Sequence, residues 1–129
     1  MKFSIVIYGA PYSSEAASSA YRFARAVIEQ GHGIYRLFFM GDGVLNASRL
    51  SVSPQDEVNL QHSWNKLIRE HKLDSVVCVS SALKRGIVDA TESERYELDG
   101  VSAFESSDIA GLGQLVDASV VSDRVVSFG

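Results

Sequence analysis

One cysteine, Cys78, stands in the run Val76-Val77-Cys78-Val79-Ser80-Ser81-Ala82-Leu83-Lys84-Arg85-Gly86, where an apolar stretch gives way to two serines and two basic residues. That order places the thiol at the carboxyl end of a strand, just before a helix cap. Backbone N–H groups and the positive helix end then face the sulfur. The chemistry such a position could serve is that of a thiolate, a nucleophile with no second cysteine in the chain to close an internal disulfide. An unperturbed thiol of pKa about 8.5 is only a few per cent thiolate at neutral pH. Bringing it to about 7 takes roughly 2 kcal/mol of anion stabilisation. A helix N-terminus contributes about 0.3–1 kcal/mol, and up to ~2 when partly buried. Ser80 and Ser81, as caps, and Lys84 or Arg85, reaching back along the helix, are therefore the candidate helpers. By position alone the bland alternative stays open: a lone cysteine ending an apolar strand is commonly a small buried hydrophobe.

Other residue types carry less. His32, His62 and His71 share no H-x-x-x-H or C-x-x-C spacing with one another or with Cys78, so no metal site is expected. Asp42, between Gly41 and Gly43, is a turn residue before it is a ligand. The Gly9-to-Ser14 loop lacks G-x-x-x-x-G-K-[ST] and G-x-G-x-x-G, and Gly31-His32-Gly33 precedes a strand, the wrong context for a dinucleotide fingerprint. No G-x-S-x-G elbow exists for serine hydrolysis. No cofactor is called for.

The elements that must position Cys78 follow from two alternating periods. Phe3 to Tyr8, Gly33 to Met40, Asp74 to Val79 and Asp123 to Phe128 are short runs rich in β-branched and aromatic residues, and they predict strands. Between them Ala17, Ala20, Tyr21, Ala24, Val27 and Ile28 recur at helical spacing. Ser13 or Ser14 is the expected cap, Glu15 complements the dipole, and Gly31 is the stop. Ser53, Pro54, Asp56 and Glu57 announce a second helix with Leu60, Trp64, Leu67, Ile68 and His71 along one face. Short helices are expected over Ala82–Arg85 and at Thr91-Glu92-Ser93-Glu94, which has capping-box form. A last helix, capped by Ser107, would carry Ile109, Leu112, Val116 and Val120, weakened by Gly111 and Gly113. Strands alternating with helices predict α/β architecture: a three-layer sandwich, a mostly parallel sheet with helices on both faces. Ligands and chemistry gather beyond the carboxyl ends of such strands, where Cys78 falls.

The totals bound the function. At 129 residues, 46% hydrophobic and 22% charged, the chain is expected to fold as one domain, 1–129. Twelve Lys and Arg against sixteen Asp and Glu give a net charge of −4, which argues against direct nucleic-acid binding. Between Asp89 and Asp108 stand seven acids (Asp89, Glu92, Glu94, Glu97, Asp99, Glu105, Asp108) against one base, Arg95. Such a run is commonly a solvated face; a docking edge for a basic partner is the other reading. No apolar run approaches the ~20 residues of a membrane span and no cleavage site follows the first strand, so a cytoplasmic location is expected.

Whole blocks of the chain resemble the DsrE/TusD family of sulfur-relay proteins. The cysteine block from Val76 to Asp89 is the most specific. Ala17 to Ala24 with Gly31-His32, Phe38-Phe39 with Asp42 to Ala47, and Gly111 to Gly113 through Asp123 to Val126 match as well. Within the family the chain is most similar to the TusD type. The resemblance implies a DsrE/F-like fold and a cytoplasmic sulfurtransferase whose acceptor cysteine is Cys78, loaded as a persulfide. It implies TusB- and TusC-like homologous subunits in a hetero-oligomer, a TusA-like sulfur donor, and a TusE- or DsrC-like acceptor. The service implied is 2-thiolation of the tRNA wobble uridine or, in the DsrE setting, dissimilatory sulfur oxidation. A noncatalytic subunit of the same fold, with Cys78 in the core, is the alternative from another class, and a flavodoxin-like binding module is a third.

Overall fold

The computed structural model describes all 129 residues. Five strands, β1 (Lys2–Ile7), β2 (Gly33–Phe39), β3 (Ser75–Cys78), β4 (Asp108–Ala110) and β5 (Arg124–Phe128), form one sheet in the order β4-β3-β2-β1-β5, and every neighbouring pair is parallel. The connections carry α1 (Ala16–Glu29), a 3₁₀ segment (Gly41–Ala47), α2 (Leu60–His71), α3 (Val79–Lys84), α4 (Ala90–Arg95) and α5 (Gly113–Val121). The three-layer α/β sandwich expected from the sequence is the fold.

The two faces are separated by the pleat, because side chains alternate along each strand. Ile5, Ile7, Leu37, Phe39 and Val77 point to one face, where Ala17, Ala20 and Ala24 of α1 and Leu60, Trp64, Leu67 and Ile68 of α2 close over them. Trp64 meets the rings of Tyr21 and Phe39 edge to face at centroid distances of 5.2 and 5.3 Å. Val6, Phe38, Val76 and Cys78 point to the other face, with Met40, Ala110 and Leu115 packed against them. Only α5 lies across that side, and of its residues Ala118 alone is buried.

Several local expectations are corrected. The second helix begins at Leu60, not after Ser53, because Asn59 caps it by accepting from His62 N–H; Pro54 and Glu57 instead close a turn. Its final residue, His71, is exposed rather than part of the buried stripe. Glu15 occupies the cap position of α1 without a side-chain cap bond, and Ser14 Oγ lies a long 3.4 Å from Ala16 N. Asp89, rather than Thr91, caps α4, accepting from Glu92 N–H at 2.8 Å. Ile109 is in a strand and not a helix. Three residues are too few to show a period, and β4 exists because β3 offers it a free edge: Val77 pairs with Ile109 and Cys78 with Ala110.

Candidate functional site

Cys78 is the last residue of β3 and also the cap residue of α3, which starts at Val79. The sequence placed it just before a cap; it is the cap itself. Its backbone is extended, with φ −60° and ψ 122°, and Ser80 and Ser81 are the second and third residues of the helix. A cap side chain accepts from the N–H groups of those two positions, which have no partner within the helix. Sulfur sits where a serine or aspartate oxygen usually does, but it makes no full cap hydrogen bond to those N–H groups.

The electrostatics follow from that geometry. Burial pushes the Cys78 thiol up, since its residue is only 3% exposed. Against this, the Ser81 N–H, the Ser80 and Ser81 hydroxyls and the Ser80 N–H all stabilise the anion, and together they hold the thiol below its ordinary value. The Ser80 hydroxyl lies 3.6 Å from Sγ. The α3 helix is six residues long, so local donors outweigh any long-range dipole.

The helix itself is stopped and held. Gly86 adopts φ 73°, and the Gly86 and Ile87 N–H groups return to Leu83 O and Ala82 O at 3.4 and 2.9 Å, a left-handed cap that favours glycine. The 3₁₀ segment braces both ends: Gly41 N–H donates to Ser81 Oγ at 3.0 Å in the first turn, and Arg85 Nε, at the C-cap, donates to Asp42 Oδ1 at 2.9 Å. That segment lies tightly against β1. A Cβ on Gly43 would stand 1.9 Å from the Ile7 carbonyl oxygen, so only glycine fits.

Of the residues singled out from the sequence, Ser80 and Ser81 are brought to the sulfur. Arg85 is not: its guanidinium is engaged by Asp42 and by Ser81 O at 3.1 Å. Lys84 lies at the far end of α3 and is exposed. The histidines are scattered. His32 meets the amino terminus at 3.0 Å, His62 packs on Phe104, and His71 ends α2. The Gly9–Ser14 loop serves α2, where the Tyr12 hydroxyl accepts from Leu60 N–H at 2.9 Å and donates to Gln61 at 2.6 Å. In the acidic stretch Glu92 is buried and pairs with Arg95 at 3.2 Å, while Glu94, Glu97, Asp99 and Glu105 are exposed.

Two arrangements went unread in the sequence. Asp42, by sequence a turn residue before a ligand, is the ion-pair partner of Arg85. Arg36 was passed over inside an apolar strand, although a guanidinium there must find partners if it is buried. It is 7% exposed and donates to Asp74 at 2.7 Å, to Asp117 at 3.0 Å and to Gln114 O at 2.8 Å, fastening α5 to the sheet. Tyr35 adds a hydrogen bond to Asp117, which with Arg36 lowers the Asp117 carboxyl below its usual range.

A five-stranded parallel sheet with its lone, acidified cysteine at the carboxyl end of β3 defines an α/β domain with one thiol at the edge where such folds gather their chemistry. Comparison makes the class specific: residues 1–128 match the DsrE/DsrF-like family, and the chain belongs to it. The chain is 46% identical over 129 residues to a proposed sulfurtransferase named DsrE from Allochromatium vinosum, covering 100% of this chain and 99% of that one. It is 45% identical to a sulfurtransferase TusD homolog of Pseudomonas aeruginosa, over 100% of this chain and 98% of the relative. A TusD homolog of Vibrio parahaemolyticus is 42% identical over 128 residues, 99% of this chain and 98% of the relative. Among solved structures, the YchN protein of E. coli superposes with a TM-score of 0.79 at 25% identity, with 99% of both chains covered. Both the family and the fold expected from the sequence are thereby shown. These relatives support a sulfur-transferring enzyme.

Proposed function

We propose that this protein is a sulfurtransferase that carries sulfur as a persulfide on Cys78 and passes it to a partner protein. The observation that carries the reading is the sole thiol held as the cap of α3, with its acidity raised by Ser80 and Ser81. In the loading step the Cys78 thiolate attacks the outer sulfur of a donor persulfide, R–S–SH. A new S–S bond forms at Cys78, the donor's S–S bond breaks, and the donor leaves as its thiolate. The number of S–S bonds is unchanged, so no oxidant or reductant is consumed. Unloading repeats the step with a thiol from an acceptor protein, because this chain has no second cysteine to displace the sulfur internally.

The setting proposed is a cytoplasmic relay with TusB- and TusC-like subunits, a TusA-like donor and a TusE-like acceptor, serving 2-thiolation of tRNA. Sulfur oxidation, with a DsrC-like acceptor, is the second setting proposed, in keeping with the DsrE name of the 46%-identical relative. No helix is long and apolar enough to cross a membrane. The surface proposed for homologous subunits is the exposed side of α5 and its cap: Leu112, Val116 and Val120, spaced four apart, are 53%, 62% and 77% exposed. Of the other stretch expected to make contacts, Val44 to Leu50, Val44 and Ala47 are buried and Leu50 is 60% exposed.

One observation favours the noncatalytic alternative, namely the 3% exposure of Cys78. Transfer of radiolabelled sulfur from a persulfide-bearing donor protein decides between the two. The wild-type chain is expected to take label and Cys78→Ser none. Serine is a favoured cap residue, so that variant keeps α3. Equal labelling of both, or of neither, returns Cys78 to the core.

A further inference from the structure

We infer that Asp42 is a positioning residue for the Cys78 thiolate, acting through Arg85 and Ser81 rather than by touching the sulfur. This rests on the reading of Cys78 as the sulfur-bearing residue. Ser81 is the hub. Its hydroxyl oxygen accepts from Gly41 N–H at 3.0 Å, which ties the first turn of α3 to the 3₁₀ segment. Its carbonyl accepts from Arg85 Nη1 at 3.1 Å, while the Arg85 backbone N–H goes instead to Ala82 O at 3.0 Å. Arg85 Nε is in turn held by Asp42 Oδ1 at 2.9 Å. The planar guanidinium thus spans two fixed points, a carboxylate on the 3₁₀ segment and the carbonyl of the residue next to Ser80 in the first turn of α3.

The far anchor is rigid. Asn46, 1% exposed, donates to Gly9 O at 3.0 Å and Gly43 O at 2.9 Å, tying the 3₁₀ segment to the loop after β1. With Gly43 pressed on Ile7, Asp42 is set relative to the sheet, and α3 is set relative to Asp42. The Arg85 and Asp42 side chains are 31% and 67% exposed, so the pair adds little to stability by itself. Its service is orientation, holding the first turn of α3, and with it the Ser80 hydroxyl that lies 3.6 Å from Sγ, as the thiolate forms and is consumed.

A second account of Arg85, that its charge stabilises the thiolate directly, makes a different forecast. Arg85→Lys, which keeps the charge but loses the fork, separates them, and the double variant Asp42→Ala/Arg85→Ala removes the whole brace without changing the net charge. The measurement is the pH midpoint of Cys78 alkylation by iodoacetamide on the full chain. A pH-independent opening step that exposes the thiol leaves that midpoint unmoved. Both variants are expected to raise the midpoint by about half a unit, so that alkylation at pH 7 slows about threefold. The thermal midpoint is expected to stay within a few degrees, about the shift of a weak surface pair. A midpoint unchanged or lowered in either variant overturns the inference, as does a fall in thermal stability alone. No sulfur donor enters this assay, so failure of persulfide loading and failure of the positioning role are separate results.

Discussion

The two faces of the sheet are built to different standards. On one, seventeen buried residues from α1, α2, α3, the 3₁₀ segment, three strands and the connections that carry Ile87 and Ala103 form a single cluster around Trp64. On the other, the cluster has four members, and one of them is Cys78. Apolar burial contributes about 25 cal/mol per Å², so most of the stability lies on the first face. The second is held by a polar fastening, Arg36 to Asp117, and by the one buried residue of α5. A fold can afford a reactive thiol and an uncovered apolar helix only where its own stability does not depend on them.

The largest expected effect falls on the first face. Trp64→Ala should cost about 3–5 kcal/mol in denaturant unfolding. The lower end is expected, because the indole N–H is buried without a partner and its loss returns something. If this substitution proved as mild as one on α5, the contrast between the faces would fail. Next comes the fastening. Arg36→Met keeps the length of the side chain but removes hydrogen bonds to two carboxylates that are themselves half-exposed, and should cost about 1–3 kcal/mol. Because α5 covers the face that holds Cys78, the same variant should alkylate faster at a fixed pH. Stability lost without faster alkylation would show that α5 does not govern access to the thiol.

Smallest for the isolated chain is Val116→Ser with Val120→Ser. Both side chains are more than half exposed, so the change in unfolding free energy should stay within about 0.5 kcal/mol for each. Co-purification with TusB- and TusC-like subunits should nevertheless fall sharply, since an apolar helix face without charge gains most from being covered. Unchanged co-purification would move the contact surface away from α5.

The unequal faces also explain what the sequence made legible. Long periodic segments report their packing directly, so α1 and the stripe Leu60, Trp64, Leu67 and Ile68 were readable, as were the four longer strands. Beginnings were not. Ser53-Pro54 has every mark of a helix start, yet Asn59 outcompetes it through its bond to His62 N–H. β4 has three residues and no period of its own; tertiary pairing with β3 creates it. At the site, Cys78, Ser80 and Ser81 were legible because capping is local in sequence. Asp42 was not, because its tie to Arg85 spans 43 positions and no spacing rule reaches that far. Arg36 left a signal, a lone charge inside an apolar strand, that pointed to a buried partner.

The central claim is that Cys78 bears the transferred sulfur, and intact-mass measurement after incubation with a donor persulfide tests it most directly. One added sulfur, about 32 Da, is expected on the wild-type chain, removable by a thiol reductant and prevented by prior alkylation. The Cys78→Ser chain should remain at its unmodified mass. An unmodified wild-type chain, under conditions in which the same donor loads a proven acceptor, would contradict the account, and so would the same gain on Cys78→Ser.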